Sequence, residues 1–171
     1  TDELMTHDDV SLILATGGSA MVSAAYSSGT PALGVGPGNV PVFIDKSADL
    51  KTAVKKIMKS KTFDNGTICA SEQSVVVESS IKDKIIKLFK EEDAYFLNEE
   101  ETEKVEKVIQ NQDGSLNADI VGQSAFKIAK MAGLDVDKEC RVLISETDGV
   151  GKDYPFSREK LAPLLGFYTV E

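Results

Sequence analysis

Short runs of apolar, often β-branched residues alternate along this chain with stretches of helical periodicity, and this restricts the fold more than any other feature. Residues 10–15 (Val-Ser-Leu-Ile-Leu-Ala), 42–44, 74–78 and 141–145 read as strands buried on both faces, the pattern of a parallel sheet. Between them lie helices. Leu50, Ala53, Val54, Ile57 and Met58 recur at i, i+3, i+4, i+7 and i+8, with Ser47 as the expected N-cap and the lysines at 51, 55, 56 and 59 on a solvated face. Ser80 and Asp83 are expected to cap a second helix that turns Ile81, Ile85, Leu88 and Phe89 inward. Residues 93–97 form a short strand, and Asn98 with Glu101 makes a capping box for a helix carrying Val105, Val108 and Ile109. A further helix with Ala125, Ile128, Ala129 and Ala132 on one face stops at Gly133. Strands alternating with helices predict an α/β fold, a three-layer domain with a mainly parallel sheet. Residues 167–170 read as a last short strand with no visible partner.

Composition narrows the classes of function. At 171 residues, 42% hydrophobic and 27% charged, the chain can bury one good core. A net charge of -9 argues against nucleic acid, whose phosphates need a basic surface. An anionic ligand would be held by local backbone N–H groups instead. No apolar run approaches the roughly 18 residues that span a bilayer, so no membrane partner is expected. Two cysteines are too few for a disulfide framework, and a reducing cytoplasm is the simpler setting. Thr1-Asp2-Glu3-Leu4 is acidic, unlike a signal peptide, and without an initiator Met the chain reads as part of a longer protein.

Two turns could carry chemistry. The first apolar run ends in Thr16-Gly17-Gly18-Ser19 before a small-residue helix over residues 20–27, an arrangement that presents free N–H groups to an anion or cofactor. Many α/β turns share that shape without binding anything. Residues 32–41, Ala-Leu-Gly-Val-Gly-Pro-Gly-Asn-Val-Pro, suggest a strand end that some other group approaches closely. They match neither GxGxxG nor a P-loop. The second turn is Asn65-Gly66, after which Cys69 sits with the small residues Ala70 and Ser71 behind it. Such a thiol is sterically open on one side and, as thiolate, nucleophilic; a small buried hydrophobe is the other local reading. Cys140, at the start of an apolar strand, reads as structural.

Four segments in order resemble the aldehyde dehydrogenase superfamily, and closely its CoA-acylating acetaldehyde dehydrogenase branch. They are Ala15-Thr16-Gly17-Gly18, Gly34-Val35-Gly36-Pro37-Gly38-Asn39, Phe63-Asp64-Asn65-Gly66-Thr67-Ile68-Cys69-Ala70-Ser71-Glu72-Gln73 and Pro155-Phe156-Ser157-Arg158-Glu159-Lys160-Leu161-Ala162-Pro163. The resemblance implies that Cys69 is the catalytic nucleophile, that Glu159 holds the nicotinamide ribose, and that Thr16, Gly17 and Gly18 pack near the nicotinamide. It implies NAD as cofactor, coenzyme A as co-substrate, a small aldehyde as substrate, no metal, and a homo-oligomer at full length. Hydrolytic members carry a glutamate as general base where alignment on Pro41 puts Val35, and valine cannot activate water. The acyl-enzyme is therefore expected to wait for the CoA thiol. A phosphorylating semialdehyde dehydrogenase of the same superfamily also lacks that base and stays open as an alternative. On this resemblance residues 1–30 are the last strand and helix of the NAD-binding domain and 31–171 the catalytic domain. The oxyanion asparagine is expected upstream of Thr1, so the chain alone is expected to be catalytically silent.

Overall fold

The last strand of the chain, not one of the earlier apolar runs, lies at the centre of the main sheet. The computed structural model describes residues 1–171, which divide into two compact units, Thr1–Gly38 and Asn39–Glu171.

The first unit holds α1 (Asp2–Met5), β1 (Ile13–Thr16), α2 (Ser19–Ser27) and β2 (Ala32–Val35). β1 and β2 pair in parallel from Ile13↔Ala32 to Thr16↔Val35, so this unit continues past residue 30. Met5, Ala15 and Ala25 form its small core, and Thr30 Oγ1 ties the loop before β2 to the Met5 carbonyl at 2.7 Å. β1 starts at Ile13, later than the apolar run that begins at Val10. The close approach expected at Gly34 comes from the chain itself. A Cβ there would stand 2.6 Å from Val22 Cγ1, and the Gly34 N–H donates to the Tyr26 hydroxyl at 2.9 Å.

The second unit runs β3 (Pro41–Ile44), α3 (Leu50–Thr62), β4 (Ser74–Glu78), α4 (Lys82–Glu91), β5 (Ala94–Leu97), α5 (Glu99–Ile109), α6 (Ala125–Met131), β6 (Val142–Glu146) and β7 (Leu164–Val170). Its five strands form one parallel sheet in the order β3-β4-β7-β6-β5. The expectation that the final strand lacks a partner is therefore wrong. β7 pairs on both edges, Ser74↔Gly166 on one and Leu143↔Leu164 on the other. Pro163 and Gly166 read as interruptions, yet Pro163 lies just before the strand and Gly166 lies where a Cβ would meet the Phe156 carbonyl oxygen at 2.9 Å.

Because side chains alternate across a strand, neighbours feed opposite faces of the sheet. Ile144, Leu165 and Phe167 join Val54, Ile57, Met58, Ile85 and Phe89 beneath α3 and α4. Leu143 and Leu164 join Val105, Ile109, Ile128 and Phe156 beneath α5 and α6. Burying each such side chain stabilises by about 1.5–3 kcal/mol, which makes these two layers the main source of stability.

Two expected caps move. Asp49, not Ser47, caps α3, accepting from the Thr52 N–H at 3.1 Å, while the Ser47 N–H donates to Asp45. α4 has no side-chain cap, because a 3-10 turn, Ser79–Ile81, leads into it. The Asn98–Glu101 capping box forms with both bonds at 2.9 Å. Gly133 ends the α6 segment at φ +73°, with the Leu134 N–H returning to the Ala129 carbonyl.

Candidate active site

α3 delivers its C-terminal end to a sharply bent stretch. Asp64, Asn65 and Gly66 all take left-handed backbone, with φ 47°, 49° and 76°. Asp and Asn tolerate that region better than other side chains, and glycine does so freely. The stretch is pinned from outside by Asn65 Nδ2, which donates to the Gly122 carbonyl at 2.9 Å, and from within by Thr67 Oγ1, which donates to Asp64 Oδ2 at 2.6 Å. A second turn follows, closed by the Ser71 N–H on the Ile68 carbonyl at 3.1 Å. Cys69 lies inside this turn and is exposed. Cys140 is buried, its Sγ 3.7 Å from the Val142 carbonyl, and burial pushes its pKa up to about 11. The two thiols thus separate as the sequence suggests, one accessible and one structural.

Glu159 lies in the segment that enters β7. A 3-10 turn, Pro155–Ser157, opens that segment, and Asn39 Nδ2 holds the Ser157 carbonyl at 2.8 Å. Arg158 Nη1 donates to the Gly114 carbonyl at 2.7 Å, and the Gly122 N–H donates to the Leu161 carbonyl at 3.0 Å. Glu159 itself is half-buried. The Ser74↔Gly166 register explains how the segments meet. β4 and β7 are adjacent and parallel, so the chain entering each arrives at the same end of the sheet. The Gly166 N–H donates to the Gln73 carbonyl at 3.1 Å, joining the Cys69 loop to the Glu159 segment.

Three residues here escape a reading of the sequence: Lys61, Gln73 and Lys160, each fully buried. Lys61 Nζ donates to Gln73 Oε1 at 3.3 Å. Burial lowers the Lys61 pKa to about 7, partly offset by the Glu72 and Glu159 carboxylates. A signal was present, since Lys61 follows Ile57 by four positions and Val54 by seven, on the apolar face of α3. Ser71 Oγ and Glu72 Oε2 are buried with no hydrogen-bond partner in the protein.

The glycine turn belongs to the first unit. Thr16 ends β1 exposed, and the Gly17 N–H donates to the Val35 carbonyl at 3.2 Å. Gly18 caps α2 in extended backbone, and a Cβ built there meets nothing within 4 Å. This open flank beside the first turn of a helix fits a flat or anionic group. Val35 ends β2 with 63% of its surface exposed.

Residues 1–112 match the aldehyde dehydrogenase family. The chain is 53% identical over its full length to the aldehyde-alcohol dehydrogenase of Clostridium acetobutylicum, of which it spans 20%. Its fold superposes with a TM-score of 0.95 on an acetylating aldehyde dehydrogenase from Geobacillus thermoglucosidasius, 56% identical, covering 99% of this chain and 37% of that one. It also superposes, at a TM-score of 0.87 and 29% identity, on a Rhodopseudomonas palustris propionaldehyde dehydrogenase bearing CoA and an acylated cysteine, covering 99% and 38%. The chain thus spans about a fifth of the length of the curated relatives it matches.

Proposed function

The chain belongs to the aldehyde dehydrogenase family, and on that premise we propose that it carries the nucleophile of a CoA-acylating aldehyde dehydrogenase. The reaction joins a short-chain, acetaldehyde-like aldehyde to CoA with reduction of NAD, giving acyl-CoA and NADH reversibly through a thioester on Cys69. The observation that carries this reading is the exposed Cys69 thiol just after a bend that the Asn65 side chain ties to Gly122, whose own N–H donates to the Leu161 carbonyl near Glu159. The acylated cysteine of the R. palustris relative supports it.

Cys69 Sγ adds to the aldehyde carbon, forming a C–S bond while the carbonyl electron pair moves to oxygen. Backbone N–H groups of the rigid turn favour that oxyanion without reorganising. The oxyanion re-forms C=O as the former aldehyde hydrogen leaves with its electron pair, and Cys69 is left as a thioester. NAD, when bound, accepts that hydride. Glu159, half-buried on a fixed segment, offers carboxylate oxygens to ribose hydroxyls. CoA, its thiol proton lost to solvent, then attacks the thioester carbon as thiolate, and the C–S bond to Cys69 breaks to leave Cys69 as thiolate. On the family resemblance Val35 takes the sequence position of the general base, and a valine has no proton to exchange, so the thioester is expected to persist until the thiol arrives.

In reverse the same steps supply an aldehyde for reduction to an alcohol, which fits an alcohol fermentation. Two unpaired cysteines suit a cytoplasmic setting, and self-association at full length follows the family resemblance. No helix is long and apolar enough to cross a membrane. The test is acetaldehyde oxidation by the full-length protein with and without CoA, and with Cys69→Ala. The proposal predicts acetyl-CoA and NADH together, both lost in the variant. Acetyl-CoA formation that survives Cys69→Ala removes the reading.

A further inference from the structure

Gln73 makes hydrogen bonds in four directions from a fully buried position two strand-entry segments share. Its N–H donates to the Val40 carbonyl at 2.8 Å, and its carbonyl accepts from the Gly166 N–H at 3.1 Å. Its side-chain Oε1 accepts from the Lys160 N–H at 3.2 Å and from Lys61 Nζ at 3.3 Å. Only the amide oxygen can accept both, so the amide orientation is fixed and Nε2 faces the Ser71 carbonyl at 3.4 Å. Ser71 closes the turn that contains Cys69, and Lys160 is the residue after Glu159.

Lys160 locks the other half. Its fully buried Nζ donates to the carbonyls of Phe156 at 2.7 Å, Arg158 at 2.8 Å and Gln73 at 3.1 Å. Three acceptors match the three donors of an ammonium, whereas a neutral amine would turn a lone pair toward one of them. Burial and the neighbouring Lys61 push the Lys160 pKa down. An acyl-transfer site requires neither residue for chemistry.

We propose that Gln73 and Lys160 are positioning residues that fix the Cys69 turn against the Glu159 segment, so that the thiol and the carboxylate that holds the cofactor keep one register. This rests on the reading of Cys69 as nucleophile and Glu159 as cofactor holder. Through Gln73, the amide is the sole side-chain link from the Lys160 backbone to the Ser71 carbonyl. Cutting one arm of it should therefore disturb one function more than the other.

The experiment uses the full-length protein with Gln73→Glu and Lys160→Met. Gln73→Glu keeps the acceptor for Lys61 and Lys160 but loses the donor to Ser71. It is expected to lower kcat for acetyl-CoA formation about 10- to 100-fold, as sub-ångström misplacement of a reacting group does, with KM for NAD within about twofold. The rate of Cys69 alkylation by iodoacetamide, followed by peptide mass, should shift with kcat. Lys160→Met frees the Glu159 segment and is expected to raise KM for NAD about tenfold or more. If Lys160→Met does not fold, Gln73→Glu decides alone. Wild-type kcat and alkylation in folded Gln73→Glu overturn the proposal, as does a fall in kcat with unchanged alkylation. Cys69→Ala in parallel separates the two readings: if it is inactive while Gln73→Glu is normal, only the positioning role fails.

Discussion

A Cβ placed on Gly66 would stand 2.8 Å from both the carbonyl carbon and the carbonyl oxygen of Ala162, so the bend before Cys69 rests directly on the backbone after Glu159. Gly66 also holds φ +76°, where an L side chain is strained. Gly66→Ala is therefore expected to destabilise by about 2–5 kcal/mol, combining left-handed strain with overpacking against atoms that cannot move aside. Chemical denaturation measures this. A loss below about 1 kcal/mol would mean that the two segments separate easily and do not form a rigid site.

The two cysteines should label at very different rates. Cys69 is exposed, whereas Cys140 is buried and its pKa is pushed to about 11. The thiolate is the reactive form, so brief iodoacetamide treatment near pH 8 should modify Cys69 and leave Cys140 intact until the chain unfolds. Peptide mass analysis reads the outcome. Faster modification of Cys140 would remove the assignment of the accessible thiol.

Lys61 predicts a pH dependence of stability. Its pKa falls from 10.5 in the unfolded chain to about 7 in the fold, so between those values the unfolded state binds more protons. Stability from this group therefore rises with pH above about 7, by at most about 1.4 kcal/mol per pH unit, and is flat below it. The Glu72 and Glu159 carboxylates moderate the effect. Lys61→Met should flatten the slope between pH 7 and 8.5 relative to the parent, both by removing this group and by removing the charge that lowers the Lys160 pKa. Parallel slopes would show that Lys61 stays charged in the fold.

The sheet and its helices were legible because burial on two faces leaves continuous apolar runs, as at Val75 and Val77, and a capping box leaves its own mark at Asn98 and Glu101. Caps that depend on the start of a helix were less so. Asp49 displaced Ser47 because Asp45 engages Ser47 in a local turn. β7 was hidden because Pro163 and Gly166 are breakers in isolation, and only the Phe156 carbonyl above Gly166 explains a glycine in a central strand. For the site, the turn at Asn65-Gly66 and the thiol after it could be read directly. Gln73 and Lys160 could not, because the bonds that join them link segments far apart in the chain, while Lys61 showed only as a charge on the apolar face of α3.

We propose that a thioester on Cys69 waits for CoA because the family resemblance puts Val35 at the sequence position of the general base in hydrolytic members. The most direct test is a single-turnover experiment on the full-length protein with acetaldehyde and NAD but no CoA, followed by the mass of the peptide containing Cys69. The account predicts one burst of NADH per site, a stall, and an acetyl group on Cys69 that CoA then removes as acetyl-CoA. Steady NADH formation with free acetate and no acetylated Cys69 would contradict it.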